Sequence, residues 1–335
     1  MIMNKAVLSR LAVIGAVSAL IPLDPAHAVV LQQKWEPGRT LAYKTEVNGT
    51  VNVLVPANAP IIIAGVPIEV EITGQGTTEL RTLKVDEAGV GTVQVRVPEF
   101  DLQGQALGQK GLFSLRQNTS KVTLNGKAIK LGDGTNPLAQ PTVAVRLSPK
   151  GRVLGVENLA AAPKPAPAAN APVNPGMAID RAALLVATIT RALPSLWPEK
   201  DVQNGETWNA EINWPMPSAT DPKTVVPTQL GKMDLTLKGE ETVEGRVLQR
   251  VGLQGTLNVD SSLFEAPGQK AAAQMRGKTK QEVKGDVWFD AAAGYIVRTD
   301  LVVGAHVEGG PKVGTDNQAW ADFTGSVLLN LKPAA

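Results

Sequence analysis

The sequence predicts a mostly β protein: a large twisted antiparallel sheet, as an open half-barrel or two β units, with one main helix and an Ala/Pro-rich linker. Three observations carry this. Long stretches alternate apolar and polar residues, glycine-closed turns separate them, and 43% hydrophobic residues in a chain of 335 supply a sizeable core. Cysteine is absent, so no disulfide, thiol nucleophile, thiolate metal site or acylated cysteine is available.

In chain order, residues 1–28 have the layout of a cleavable secretory signal. Lys5 and Arg10 begin it, Leu11 to Ile21 is almost wholly apolar, and Ala26-His27-Ala28 is a small-x-small cleavage site. Cleavage near Ala28 predicts an exported chain, periplasmic or extracellular. The apolar run falls short of the roughly 20 residues of a bilayer anchor, so no integral membrane span is expected after cleavage.

Residues 29–159 are expected to form an N-terminal β region. Leu41, Tyr43, Thr45 and Val47 share one parity; Ile68, Val70 and Ile72 alternate with Glu69 and Glu71, and Val93, Val95 and Val97 with Gln94 and Arg96. Turns are expected at Asp86–Gly89 and Ser148–Gly151, each opened by a residue that can bond the turn backbone and closed by glycine. Residues 98–141 read as an irregular insert.

Residues 160–178, rich in alanine and proline, read as an extended linker. Residues 179–335 then combine a helix with a C-terminal β region. Asp180 can cap the helix, Leu185, Ile189 and Leu193 recur at helical spacing, and Pro194 stops it. Hairpins follow, turning at Glu241–Gly245 and Asp290–Gly294. Val251, Leu253, Leu257 and Val259 share one parity, as do Tyr295, Val297, Leu301 and Val303.

A catalytic constellation is not legible. His306, the one histidine beyond the signal, lies on the wetter parity of its strand, and a base needs a nucleophile and an orienting partner. Gly277-Lys278-Thr279 lacks the first glycine of a phosphate loop, because position 272 is alanine. Gly132-Asp133-Gly134 lacks the terminal glutamate of a calcium loop. The pairs Glu69/Glu71 and Glu240/Glu241 suit solvated strand faces and hairpins. No enzyme, metal or cofactor is therefore expected. A net charge of +2, with no basic run interleaved with aromatics, gives no support to a nucleic-acid partner.

The functional lead is apolar material where a turn should be. Val51 to Val55 runs on through Pro56, Pro60, Ile61, Ile62, Ile63, Val66 and Pro67, and its prolines forbid a regular central strand across it. Three consecutive isoleucines in an exposed loop would be adhesive, so the segment either packs into the core, lines an apolar cavity or meets a partner.

Three stretches carry a family resemblance: Gly205-Glu206-Thr207-Trp208, the hairpin Leu235 to Val259, and Trp288-Phe289-Asp290 through Gly294-Tyr295-Ile296-Val297. The second half thereby resembles the periplasmic lipoprotein carriers, the LolA/LppX-type half-barrels. That resemblance implies an open sheet wrapped around helices, with acyl chains bound in the concavity. The expected function is an exported, non-enzymatic β-rich protein that binds an apolar, lipid-like ligand or an envelope partner on a concave sheet. Ile61, Ile62, Ile63, Val66, Leu185, Ile189 and Leu193 are the expected lining. A scaffolding envelope protein with two β units is the alternative, and a secreted hydrolase using dispersed carboxylates the third reading.

Overall fold

A computed structural model describes residues 28–54, 67–116, 119–129, 143–158, 196–217, 225–260, 277–309 and 319–331. The expected linker and the helix at 180–193 lie outside the described residues. The mostly β expectation holds. The strands are β1 (Thr40–Leu54), β2 (Pro67–Val85), β3 (Gly91–Ala106), β4 (Gln109–Arg116), β5 (Thr119–Leu124), β6 (Lys127–Ile129), β7 (Val143–Leu147) and β8 (Val153–Asn158). They continue as β9 (Thr207–Pro217), β10 (Val225–Val243), β11 (Arg246–Asp260), β12 (Gly277–Asp290), β13 (Tyr295–Gly309) and β14 (Ala319–Leu331).

All belong to one antiparallel sheet in the order β6-β5-β4-β3-β2-β1-β14-β13-β12-β11-β10-β9. Pairing of β1 with β14, from Tyr43 opposite Leu331 to Leu54 opposite Trp320, joins the first and last strands at the centre. The sheet forks at β3. Its first residues, Gly91 to Val93, pair with β7, and its last, Phe100 to Ala106, pair with β4. One end, here called lower, therefore carries β7 and β8, and the upper end carries the flap β4–β6.

The expected turns at Asp86–Gly89, Ser148–Gly151 and Asp290–Gly294 form, while the one expected at Glu241–Gly245 shortens to Glu244-Gly245 because β10 runs on to Val243. Asp86 Oδ1 accepts from the Ala88 and Val90 amides at 3.0 and 2.9 Å, and Asp290 Oδ1 from the Ala293 amide at 2.8 Å. Gly89, Gly151, Gly245 and Gly294 take positive φ, the geometry that closes each turn. The insert at 98–141 differs from its reading: it continues β3 and adds β4, β5 and β6, through tight turns at Leu107-Gly108 and Asn125-Gly126.

Register places directly opposed residues on one face. The lower end of that inner face is closed by two segments that are not strands. Leu31 (0% exposed), Leu196, Trp197 and Val202 pack with Met233, Leu235, Leu237, Val251, Val287 and Phe289 (0% exposed) in one cluster. Strands β9 to β13 all feed this cluster, so the sheet must curl around it. Val153 of β8 and Trp208 of β9 pack against the same cluster, although β8 pairs only with β7. Bulges at Thr77–Glu79, Leu237–Gly239 and Trp288–Phe289 supply extra twist for the curl.

Backbone bonds pin the plug. Val29 and Val202 exchange hydrogen bonds at 2.8 and 3.1 Å, the Lys34 amide donates to Gly294 O at 2.8 Å, and the Gln33 amide to Pro149 O at 2.7 Å. Trp208 Nε1 donates to Leu196 O at 2.7 Å. The Trp197 and Phe289 rings meet at 4.6 Å between centroids. Phe289→Ala is expected to leave an unfilled void there and cost about 3–5 kcal/mol, read as a lowered urea midpoint at unchanged slope.

Candidate functional site

Above the plug the inner face stays apolar but is only partly covered. Val47, Val51 and Val53 of β1 stand beside Gly74, Val70 and Ile68 of β2. On the other side they stand beside Val327 and Phe323 of β14, which oppose Leu301 and Ala305 of β13. Leu102 and Phe113 extend the wall across β3 and β4. Val47, Val51, Val53, Val70, Ile72, Leu102, Phe113, Phe323 and Val327 are all half-buried, in contrast with the fully enclosed lower cluster.

Glycines shape this wall. A Cβ at Gly74 would lie 2.9 Å from Phe100 Cζ, and one at Gly49 would lie 2.9 Å from Phe323 Cε2. Both distances are shorter than real Cβ contacts allow, so each ring lies flat against the backbone of the neighbouring strands. Glycine there keeps two large aromatics from standing up into the concavity. The wall is lined with aromatic surface while the space in front of it is left unfilled by those rings.

Thr45, Thr279, Gln281 and Thr299 interrupt the apolar face, and Gln281 is the largest of them. Gln281 of β12 stands between Leu257 and Ala305, and its Oε1 is buried without a hydrogen-bond partner. An unpaired buried acceptor costs about 1–3 kcal/mol.

The outer face is charged. Lys44 and Glu46 on β1, Glu69 and Glu71 on β2, and Lys280, Glu282 and Lys284 on β12 occupy the opposite parity. Low on this face Trp288 lies between two guanidiniums, Arg250 at 5.4 Å and Arg298 at 4.8 Å from its ring centre, and its Nε1 donates to Glu241 Oε2 at 3.0 Å. Asp286 beside it receives Lys238 Nζ at 2.6 Å and Arg250 Nη2 at 2.7 Å. Burial pulls the Asp286 carboxyl upward, but these two cationic bonds outweigh it and hold the group below the usual carboxylate range.

His306 and Asp322 stand side by side on the outer face, Nδ1 to Oδ1 at 2.5 Å, with the His306 side chain 44% exposed. Among the described residues no three histidine, cysteine or carboxylate side chains gather to hold a metal ion.

The expected lining residues Ile61, Ile62, Ile63, Val66, Leu185, Ile189 and Leu193 all lie outside the described residues. Leu54 opposes Pro67 at the upper end, which is where residues 55–66 connect the two strands. The wall itself was readable only in part. The alternation of Ile68, Val70 and Ile72 marked β2 correctly, whereas β14 and the flap carried residues not read as wall. The parity of Val47, Gly49, Val51 and Val53 was the available signal for the centre.

No protein-family model and no curated protein matches the sequence. Among solved structures the chain is similar to one titled "Lipid-protein interactions in lipovitellin", at 12% identity and a TM-score of 0.38. That likeness covers 90% of this chain but only 26% of the lipovitellin chain, so this chain spans about a quarter of that relative. A second likeness, to the Pseudomonas aeruginosa protein OpdQ, has 7% identity and a TM-score of 0.16, covering 88% of this chain and 99% of that one.

Two outcomes follow from the geometry. Gln281→Leu is expected to stabilise the protein by about 1 kcal/mol, seen as a higher urea midpoint, because it removes the orphaned acceptor. For Asp286 the folded pKa lies below the unfolded one, so its contribution is complete above the unfolded value of about 3.9 and is lost as pH falls through the folded value. Wild type should therefore lose more stability than Asp286→Asn between about pH 5 and pH 2, measured by urea titrations at each pH.

Proposed function

We propose that this is an exported, non-enzymatic binding protein that holds an apolar, acyl-chain-like ligand against the upper inner face of its sheet. The observation that carries the reading is the half-buried apolar wall from Phe113 through Val51 to Phe323, continuous across strands and kept open by Gly49 and Gly74. A wall filled for stability alone would carry side chains that meet across it, as the lower cluster does. The LolA/LppX-type carriers that the second half resembles use a concave sheet in the same way.

Charge on the opposite parity supports a protein that meets water with its outer face. A membrane barrel turns an apolar band outward and a polar face inward, the reverse of this arrangement. No helix among the described residues is long and apolar enough to cross a membrane. Export rests on the signal-like first 28 residues. Val29, the first residue after the expected cleavage point, is bonded to Val202, so a chain cut there retains its plug.

The test is titration of the full mature chain with a fluorescent fatty acid. Val51→Asp places a carboxylate on the wall and should weaken binding by about tenfold or more, equivalent to about 1.4 kcal/mol. Thr50→Asp, its neighbour on the outer parity, should bind as wild type. Equal binding by wild type and Val51→Asp, with both folded by circular dichroism, would remove the wall from the site.

A further inference from the structure

The flap at the upper end concentrates three features that the apolar wall does not explain. The first is a leucine where the backbone favours glycine or asparagine. Leu107 has φ of 48° and Gly108 of 73°, the paired positive values of a mirror-image two-residue turn. The neighbouring tip has the residues that suit such a turn, Asn125 at 47° and Gly126 at 76°. At Leu107 the chain accepts backbone strain and also leaves the side chain 74% exposed, so two penalties fall on one residue.

The second feature is that the two tips are locked together. Asn125 Oδ1 accepts from the Lys110 amide at 2.9 Å, and the Asn125 amide donates to Lys110 O at 2.8 Å. Leu124, 42% exposed, lies on this second tip opposite Gly111. The tips thus present two leucines from one end of the flap.

The third is charge. Between Asp101 and Asp133 the sequence has no carboxylate, yet it carries Lys110, Arg116, Lys121, Lys127 and Lys130. Arg116 is paired with Asp101 at 2.9 Å, while Lys110, Lys121 and Lys127 are exposed. Across the register the facing carboxylate is Glu71, opposite Gln105 on the outer face. The chain as a whole is nearly balanced, with 33 cations and 31 carboxylates, so this excess is local.

We propose that the flap docks the protein onto an anionic lipid surface, with Leu107 entering the interface and the lysines lying at the phosphates. A projecting leucine with the exposed Lys110 and Lys127 beside the two turns fits a plane that is apolar inside and anionic at its surface. Each lysine near such a surface adds attraction that salt weakens. Both tips are at the upper end, the end at which the described plug does not cover the wall. The inference does not depend on which ligand the wall holds.

The experiment is co-sedimentation of the full mature chain with vesicles of phosphatidylglycerol, and separately of phosphatidylcholine. Wild type should bind the first and leave the second, with binding lost at about 0.5 M salt. Leu107→Asn should weaken binding about tenfold while leaving the melting temperature equal or higher, because asparagine suits the turn. Lys110→Gln, on the strand beyond the turn, should weaken it too, and fatty-acid titration in solution should be unchanged by either variant. Wild-type binding by Leu107→Asn, or no binding of wild type to phosphatidylglycerol, would overturn the proposal; the second result would leave a protein-binding tip. Failure of the fatty-acid titration in wild type would instead overturn the apolar-ligand reading alone.

Discussion

Everything in this molecule depends on keeping one face of a long antiparallel sheet away from water. Period two puts most apolar residues of a strand on that face, so the sheet cannot be stable flat and alone. At the lower end Leu31, Leu196 and Trp197 fill the space, and strands β9 to β13 curl around them. At the upper end the same face continues with valines and flattened phenylalanines that are only half-covered. Among the described residues, the two plug segments fill the lower half.

The outer face reinforces the lower half by other means. Trp288 held between Arg250 and Arg298 ties β11, β12 and β13 across their backs, and Asp286 links β10 to β11 through Lys238 and Arg250. These groups bridge strands that already share hydrogen bonds, so they resist shear between neighbours. The upper half has the glycines instead, which lower the wall and let backbones approach closely. Rigidity and openness are thus assigned to opposite ends of the same strands.

Much of the fold was written locally. Asp86, Ser148 and Asp290 announce their turns because each side chain bonds the backbone a few residues on, an interaction that needs no distant partner. The plug was not legible, because Leu31 sits in a segment without period and gains its burial only from strands far along the chain. The flap was missed for a related reason. Gln- and Gly-rich strands alternate weakly, and a leucine in a left-handed turn position hides the turn, although Asn125-Gly126 signalled its partner. Of the candidate site, the strand parity was readable, but the flattening of Phe100 and Phe323 required the cross-strand register that puts each beside a glycine.

The pairing of β1 with β14 has a kinetic meaning. Residues 43–54 pair with nearby β2 on one edge but find their other partner in residues 320–331, so the central ladder is not complete until β14 is present. Contacts of such sequence separation carry a large loop-closure cost and slow the approach to the native state. Until then the backbone edge of β1 and the apolar side of β2 stand unpaired, the condition under which β chains adhere to one another. Assembly of this protein is therefore a race between the arrival of its last strand and the capture of its first.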